Sequence, residues 1–156
     1  MHKDPARDVL AAFEAFGVQY VVFGAVALNL HGLPRFTEDL DVFIAPMAAN
    51  VDALKQALQS VFSDPHIDEI TAADLLGDYP AVQYVPPVGT FHIDILTRLG
   101  EAFRFEDLEI VRVPFDGLTV SVVSPRTLYR MKRKTVRPKD WSDAAMLRQH
   151  FDVEGE

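Results

Sequence analysis

Two aspartates one residue apart inside an apolar run, Asp39-Leu40-Asp41-Val42-Phe43-Ile44, restrict this chain more than any other feature of its sequence. The apolar and β-branched residues predict a strand, and alternate side chains of a strand leave opposite faces. Asp39 and Asp41 then stand side by side on one face, with Leu40 and Val42 on the other. Aspartate is disfavoured in strands and like charges at neighbouring same-face positions repel, so such a pair is retained most readily where a cation neutralises it. Magnesium suits the task, because it takes hard oxygen ligands in octahedral geometry and is commonly held by a few carboxylates together with substrate phosphates. Upstream, Tyr20 to Phe23 predicts a buried strand that turns at Gly24-Ala25 into a short helix. A helix start offers free backbone N–H groups and the positive end of a dipole, where a phosphate can sit. Gly24 allows the backbone to come close to it.

The rest of the chain supplies a scaffold for that pair. Asp4-Pro5 makes an N-cap and first helical residue, and Val9, Phe13 and Phe16 follow at helical spacing as far as Gly17. After Pro46, the apolar residues Val51, Leu54, Leu58, Val61 and Phe62 predict an amphipathic helix of about four turns. From Ser63 to Tyr79 the pattern weakens, leaving room for a short helix at Ala72 to Leu76. Strands follow at Val82 to Val85 and Phe91 to Leu96. Leu108 to Phe115 and Leu118 to Val123 flank Asp116-Gly117, which predicts a two-residue type I′ hairpin. Pro114 places its strand at a sheet edge. A helix restarts at Ser124-Pro125, and Pro138 separates it from a last one over about 139–150. The expected architecture is α/β (α+β): a mixed, twisted sheet of about five strands with flanking helices and a C-terminal helical segment. Its core covers about 19–123, and the whole of 1–156 is expected to form a single domain.

The formal net charge of −8 argues against a general nucleic-acid binder, whose affinity rests on neutralising phosphates. The charge is unevenly placed. Arg126, Arg130, Lys132, Arg133, Lys134, Arg137 and Lys139 fall in a stretch without one acidic residue. At 100° per residue, Arg126, Arg130, Arg133 and Arg137 share a stripe, with Leu128, Met131 and Thr135 roughly opposite. There are no cysteines, so neither a disulfide framework nor a thiolate metal site can form, which fits a reducing cytoplasm. No apolar run approaches the roughly 20 residues of a membrane span, and MHKDPARD lacks the apolar core of a signal peptide. A cytoplasmic protein with no membrane partner is expected.

The Gly24 turn and the D-x-D strand, with Val26 to Glu38 between them, resemble the signature of the nucleotidyltransferase superfamily with the DNA polymerase beta-like fold. Arg35, Thr37 and the run EDLDVFI are more similar to AbiEii-type toxins and related small bacterial nucleotidyltransferases, as is the run MKRKTVRPKDWSDAAML. The resemblance extends from about Gln19 to about Leu147, with the middle matching only as a pattern of elements. It implies a third carboxylate on a later strand, which FHIDIL supplies as Asp94. His92 shares that strand face and reads first as a core or rim histidine, with orientation of a ligand as the other role open to it. The resemblance also implies that Lys132 reaches a triphosphate, and that Arg35, Thr37, Arg137 and Lys139, with the backbone at Gly24 and Ala25, bind the nucleotide. Asp140 and Asp143 match the family's C-terminal pattern. Many relatives have serine or glycine where this chain has Ala25, so only its N–H remains for a phosphate.

The implied chemistry is transfer of a nucleoside monophosphate from an NTP to an acceptor hydroxyl. Asp39, Asp41 and Asp94 serve as both catalytic residues and metal ligands for two Mg2+ ions, with Mn2+ as an acceptable substitute. Resemblance alone adds a toxin of a toxin–antitoxin pair, with RNA as acceptor and an antitoxin protein as partner. A second reading, from another class, is a catalytically silent nucleotide-binding or partner-binding module. Intact Asp39, Asp41 and Asp94 argue against it, and Ala25 leaves it open.

Overall fold

A computed structural model gives the fold and describes residues 5–33, 37–77, 80–87, 89–99, 103–133 and 138–151. The chain opens with helix α1 (Pro5–Ala15), which buries Val9, Leu10, Ala12 and Phe13. Gly17, at φ +70, ends it, and the Val18 N–H returns to the Phe13 carbonyl at 3.0 Å. This left-handed residue closing a six-to-one hydrogen bond is how a helix terminus satisfies its last carbonyls. Strand β1 (Tyr20–Phe23), helix α2 (Gly24–Leu30) and strand β2 (Asp39–Ile44) follow. Helix α3 (Ala48–Phe62) stops at Ser63, which takes φ +50.

The weakly patterned stretch after α3 holds a 3-10 turn (Pro65–Glu69) and helix α4 (Ala72–Leu76), anchored by the fully buried Ile67 and Leu75. Next come strands β3 (Ala81–Tyr84), β4 (His92–Leu96), β5 (Arg98–Leu99) and β6 (Phe103–Arg104), a short 3-10 turn (Phe105–Asp107), then strands β7 (Ile110–Phe115) and β8 (Leu118–Val123). The hairpin between β7 and β8 turns on Asp116 and Gly117, both at positive φ (+51 and +86), as a type I′ turn requires. Ser124 caps helix α5 (Pro125–Arg133), its Oγ accepting from the Thr127 N–H at 3.1 Å, and α6 (Pro138–His150) packs on α5.

Among the described residues the main sheet has six strands in the order β3-β4-β2-β1-β8-β7, and β5 with β6 forms a separate two-stranded sheet. The expected mixed sheet with flanking helices is present, with one strand more than the about five anticipated. β1 pairs antiparallel with β2 and parallel with β8; β4 runs parallel to β2 and antiparallel to β3. β7, with its Pro114, lies at one edge, where a residue without an N–H costs no central ladder bond.

On β2, Leu40, Val42 and Ile44 point to one face, together with Ile93 and Ile95 of β4 and Val22 of β1, all fully buried. Phe13 of α1 meets Tyr20 at 5.3 Å between ring centroids, and Phe62 of α3 meets Tyr84 at 5.6 Å, so α1 and α3 cover this same face. Asn50, buried at the start of α3, accepts from the Gln19 N–H at 2.8 Å and donates to the carbonyls of Gln19 and Ala45 at 3.0 Å each. Both ends of that amide are satisfied, which ties the helix to the entry of β1 without a burial penalty.

Candidate active site

The opposite face of the sheet carries the carboxylates. Asp39 and Asp41 leave β2 on the side away from Leu40 and Val42, and the parallel register places Asp39 opposite His92 and Asp41 opposite Asp94. All four side chains are partly exposed. Two hydrogen bonds set the entry of the strands: the Thr37 Oγ1 accepts from the Asp39 N–H at 3.0 Å, and the His92 N–H donates to the Glu38 carbonyl at 3.0 Å. Thr90 donates its hydroxyl to the Glu38 carboxylate from the β4 side.

The Asp41 carboxylate occupies space left open at Gly24. That glycine sits at the junction of β1 and α2 with φ +74, and a Cβ added there would lie 2.1 Å from the Asp41 Oδ2. The residue is glycine because its backbone is left-handed and because a carboxylate occupies the space a side chain would take. Asp94 is steadied from the other side, where Gln83 of β3 donates to its Oδ1 at 3.2 Å. His92 Nε2 lies 2.6 Å from the Asp39 Oδ1.

Asp39, His92 and Asp94 each offer one ligand atom, and these atoms all lie within 4.8 Å of one another. Two carboxylate oxygens and an imidazole nitrogen at this spacing, with an open side toward water, fit a divalent cation. Asp41 stands beside this trio, across from Asp94 and against Gly24.

Of the residues expected to bind nucleotide, Gly24 and Ala25 are buried at the junction that touches Asp41, and the hydroxyl of Thr37 is engaged by the backbone of Asp39. Arg35 and Arg137 lie outside the described residues, and Lys132 and Lys139 fall on α5 and α6 with side chains that also lie outside them. α5 buries Thr127, Leu128, Tyr129 and Met131, a broader face than the Leu128-Met131-Thr135 stripe of the sequence pattern. Asp143 of α6 is fully buried. The sequence pattern gives no role to Gln83 and reads His92 first as a core or rim histidine. Alternation reveals that His92 shares a face with Asp94, but nothing local reveals that Asp39 lies across from it.

A sequence model of the family described as nucleotidyl transferase AbiEii toxin, type IV toxin–antitoxin system, matches residues 8–156. The chain belongs to the AbiEii family. Solved structures agree at the level of the fold. A Thermotoga maritima protein assigned as a nucleotidyltransferase superposes with a TM-score of 0.55 at 14% identity, over 93% of this chain and 89% of that one. JHP933 from Helicobacter pylori gives 0.58 at 19% identity, over 94% of this chain and 64% of that one. ANT(2″)-Ia, solved with adenylyl-2″-tobramycin, gives 0.56 at 11% identity, over 92% and 84%. A comparison with curated proteins finds no match. This AbiEii-family chain is thus a nucleotidyltransferase by family, with a nucleotidyltransferase fold and an Asp-His-Asp group suited to a metal on its open sheet face. No helix among the described residues is long and apolar enough to cross a membrane.

Proposed function

We propose that this protein is a divalent-metal-dependent nucleotidyltransferase that moves a nucleoside monophosphate from an NTP to a hydroxyl of RNA, as the toxin of a cytoplasmic toxin–antitoxin pair. The observation that carries the reading is the register of β2 and β4, which gathers three carboxylates on the sheet face opposite α1 and α3. Like charges opposite each other on adjacent strands destabilise a sheet, and Asp41 faces Asp94 across the inner strands β2 and β4, an arrangement that a bound cation would relieve. A divalent cation bound there neutralises phosphate charge and makes the acceptor hydroxyl more acidic.

The chain's own groups do the positioning. Asp39, Asp41 and Asp94 are the metal ligands and catalytic residues. Gly24 leaves room for the Asp41 carboxylate, and Gln83 donates to Asp94. The N–H groups at Gly24 and Ala25, with Arg35, Thr37, Lys132, Arg137 and Lys139, bind the nucleotide, and Thr37 also holds the entry to β2. The acceptor oxygen attacks the α-phosphorus, the bond to the β-phosphate oxygen breaks, and pyrophosphate leaves toward these cationic and N–H groups. An antitoxin partner is favoured by family membership, and RNA as acceptor rests on the resemblance to toxins alone. The tobramycin adduct of ANT(2″)-Ia makes a small-molecule hydroxyl the natural competitor for acceptor.

Incubation with total RNA and NTPs labelled at either the α- or the γ-phosphate tests this reading. RNA should gain the α-label and not the γ-label in the presence of Mg2+, and Asp41→Asn and Asp94→Asn should abolish transfer while remaining folded. The γ-label entering RNA, or α-label transfer that survives both substitutions, would overturn it.

A further inference from the structure

We propose that His92 is itself a metal ligand, so that Asp39, His92 and Asp94 form a mixed nitrogen and oxygen site that binds Mn2+ in preference to Mg2+. This rests on the metal-dependent reading above and deepens it. The parallel register seats His92 directly across from Asp39, two residues before Asp94 on the same face of β4. Its Nε2 already lies 2.6 Å from the Asp39 Oδ1, and the three ligand atoms fall within 4.8 Å of one another. Ligands at about 2.1 Å from an octahedral ion lie about 3 Å apart when adjacent and about 4.2 Å apart when opposite. The trio can therefore close on one ion through small side-chain adjustments, with the strands unmoved.

The surroundings hold the trio where it is. The His92 backbone is pinned to the Glu38 carbonyl, and Asp94 is held by Gln83. Asp41 lies outside the trio whose ligand atoms are within 4.8 Å of one another, so the donor set nearest to completion contains the imidazole rather than the third carboxylate. The side chains of His92 and Asp39 are 28% and 42% exposed, which leaves further coordination positions to water and phosphate. Mg2+ seeks oxygen donors and dehydrates reluctantly, whereas imidazole binds first-row transition dications. An imidazole in this position raises affinity for Mn2+ and adds little for Mg2+. The chief alternative is that the His92 and Asp39 contact is an ion pair with no part in metal binding.

The test uses the full chain without nucleotide. Mn2+ binding is followed by the electron paramagnetic resonance of the free ion, with Mg2+ as competitor, and pulsed resonance measures the coupling of a directly bound imidazole nitrogen. The wild type should show that coupling and bind Mn2+ about tenfold or more tightly than Mg2+. His92→Gln should lose the coupling and about tenfold in Mn2+ affinity with Mg2+ affinity unchanged, and Asp94→Asn should weaken both ions. Bound Mn2+ without nitrogen coupling, or equal Mn2+ affinity in His92→Gln, overturns the role of His92 and leaves metal-dependent transfer standing. Failure of the wild type to bind either ion, with or without NTP, overturns both. If His92→Gln does not fold, the nitrogen coupling of the wild type decides alone.

Discussion

Gly24 links backbone conformation to the reactive face in one atom. Its φ of +74 excludes an ordinary side chain, and the Asp41 carboxylate fills the place where one would go. Gly24→Ala should therefore cost about 1–3 kcal/mol of stability, through a strained backbone and a displaced Asp41. Urea denaturation measures the loss. Gly17→Ala is its control, because Gly17 has a similar φ of +70 but open space around its Cβ position, so it should show the backbone cost alone. At this scale the sequence makes the carboxylates legible, since alternation along β2 and β4 follows from local composition. The contact between Gly24 and Asp41 is not legible, because it depends on β1 meeting β2 in one register, with Phe23 opposite Asp41. The closure of His92 onto Asp39 is hidden for the same reason.

Secondary-structure elements are legible wherever a period or a cap is strong. Helix α3 follows its apolar spacing, and the β7–β8 hairpin follows Asp116-Gly117. β5 and β6 escape detection because strands of two residues carry no period. Ser124 shows what a cap contributes: its Oγ accepts from the Thr127 N–H and donates toward Glu109 at 2.7 Å, linking the start of α5 to the chain entering β7. Ser124→Ala should destabilise by about 1–2 kcal/mol, read from the urea midpoint at unchanged slope. A second link joins α1 to the far edge of the sheet. Arg112 grips Glu14 with both terminal nitrogens, at 2.9 and 3.1 Å, and the Tyr20 hydroxyl donates to the same carboxylate. The guanidinium, followed by the tyrosine hydroxyl, holds the Glu14 carboxyl below its usual value of 4.5 against an opposing effect of burial. A carboxyl depressed in the folded state contributes stability that is complete above its unfolded value and is lost as pH falls through the folded value. The stability of the wild type should thus decline below about pH 4.5 more steeply than that of Glu14→Gln, and denaturation at a series of acidic pH values measures the difference.

For the whole molecule, order along the chain and order across the sheet disagree. β1 lies between β2 and β8, yet β8 is the last strand of the chain, and β4 reaches β2 only after α3, α4 and β3 have intervened. A chain cut after Gly117 would leave β1 with an open edge and remove Val120, Val122 and Val123 from the core. Such a fragment should show no cooperative unfolding transition by circular dichroism, since a central strand of a small sheet needs both neighbours to bury its faces. A near-native melt would refute this. The same topology acts as a timer. With synthesis at roughly 5–20 residues per second, Asp39 and Asp41 leave the ribosome on the order of ten seconds before the last strand that completes their sheet. Throughout that interval the nascent polypeptide has its acids but no enzyme, so translation itself delays the onset of activity.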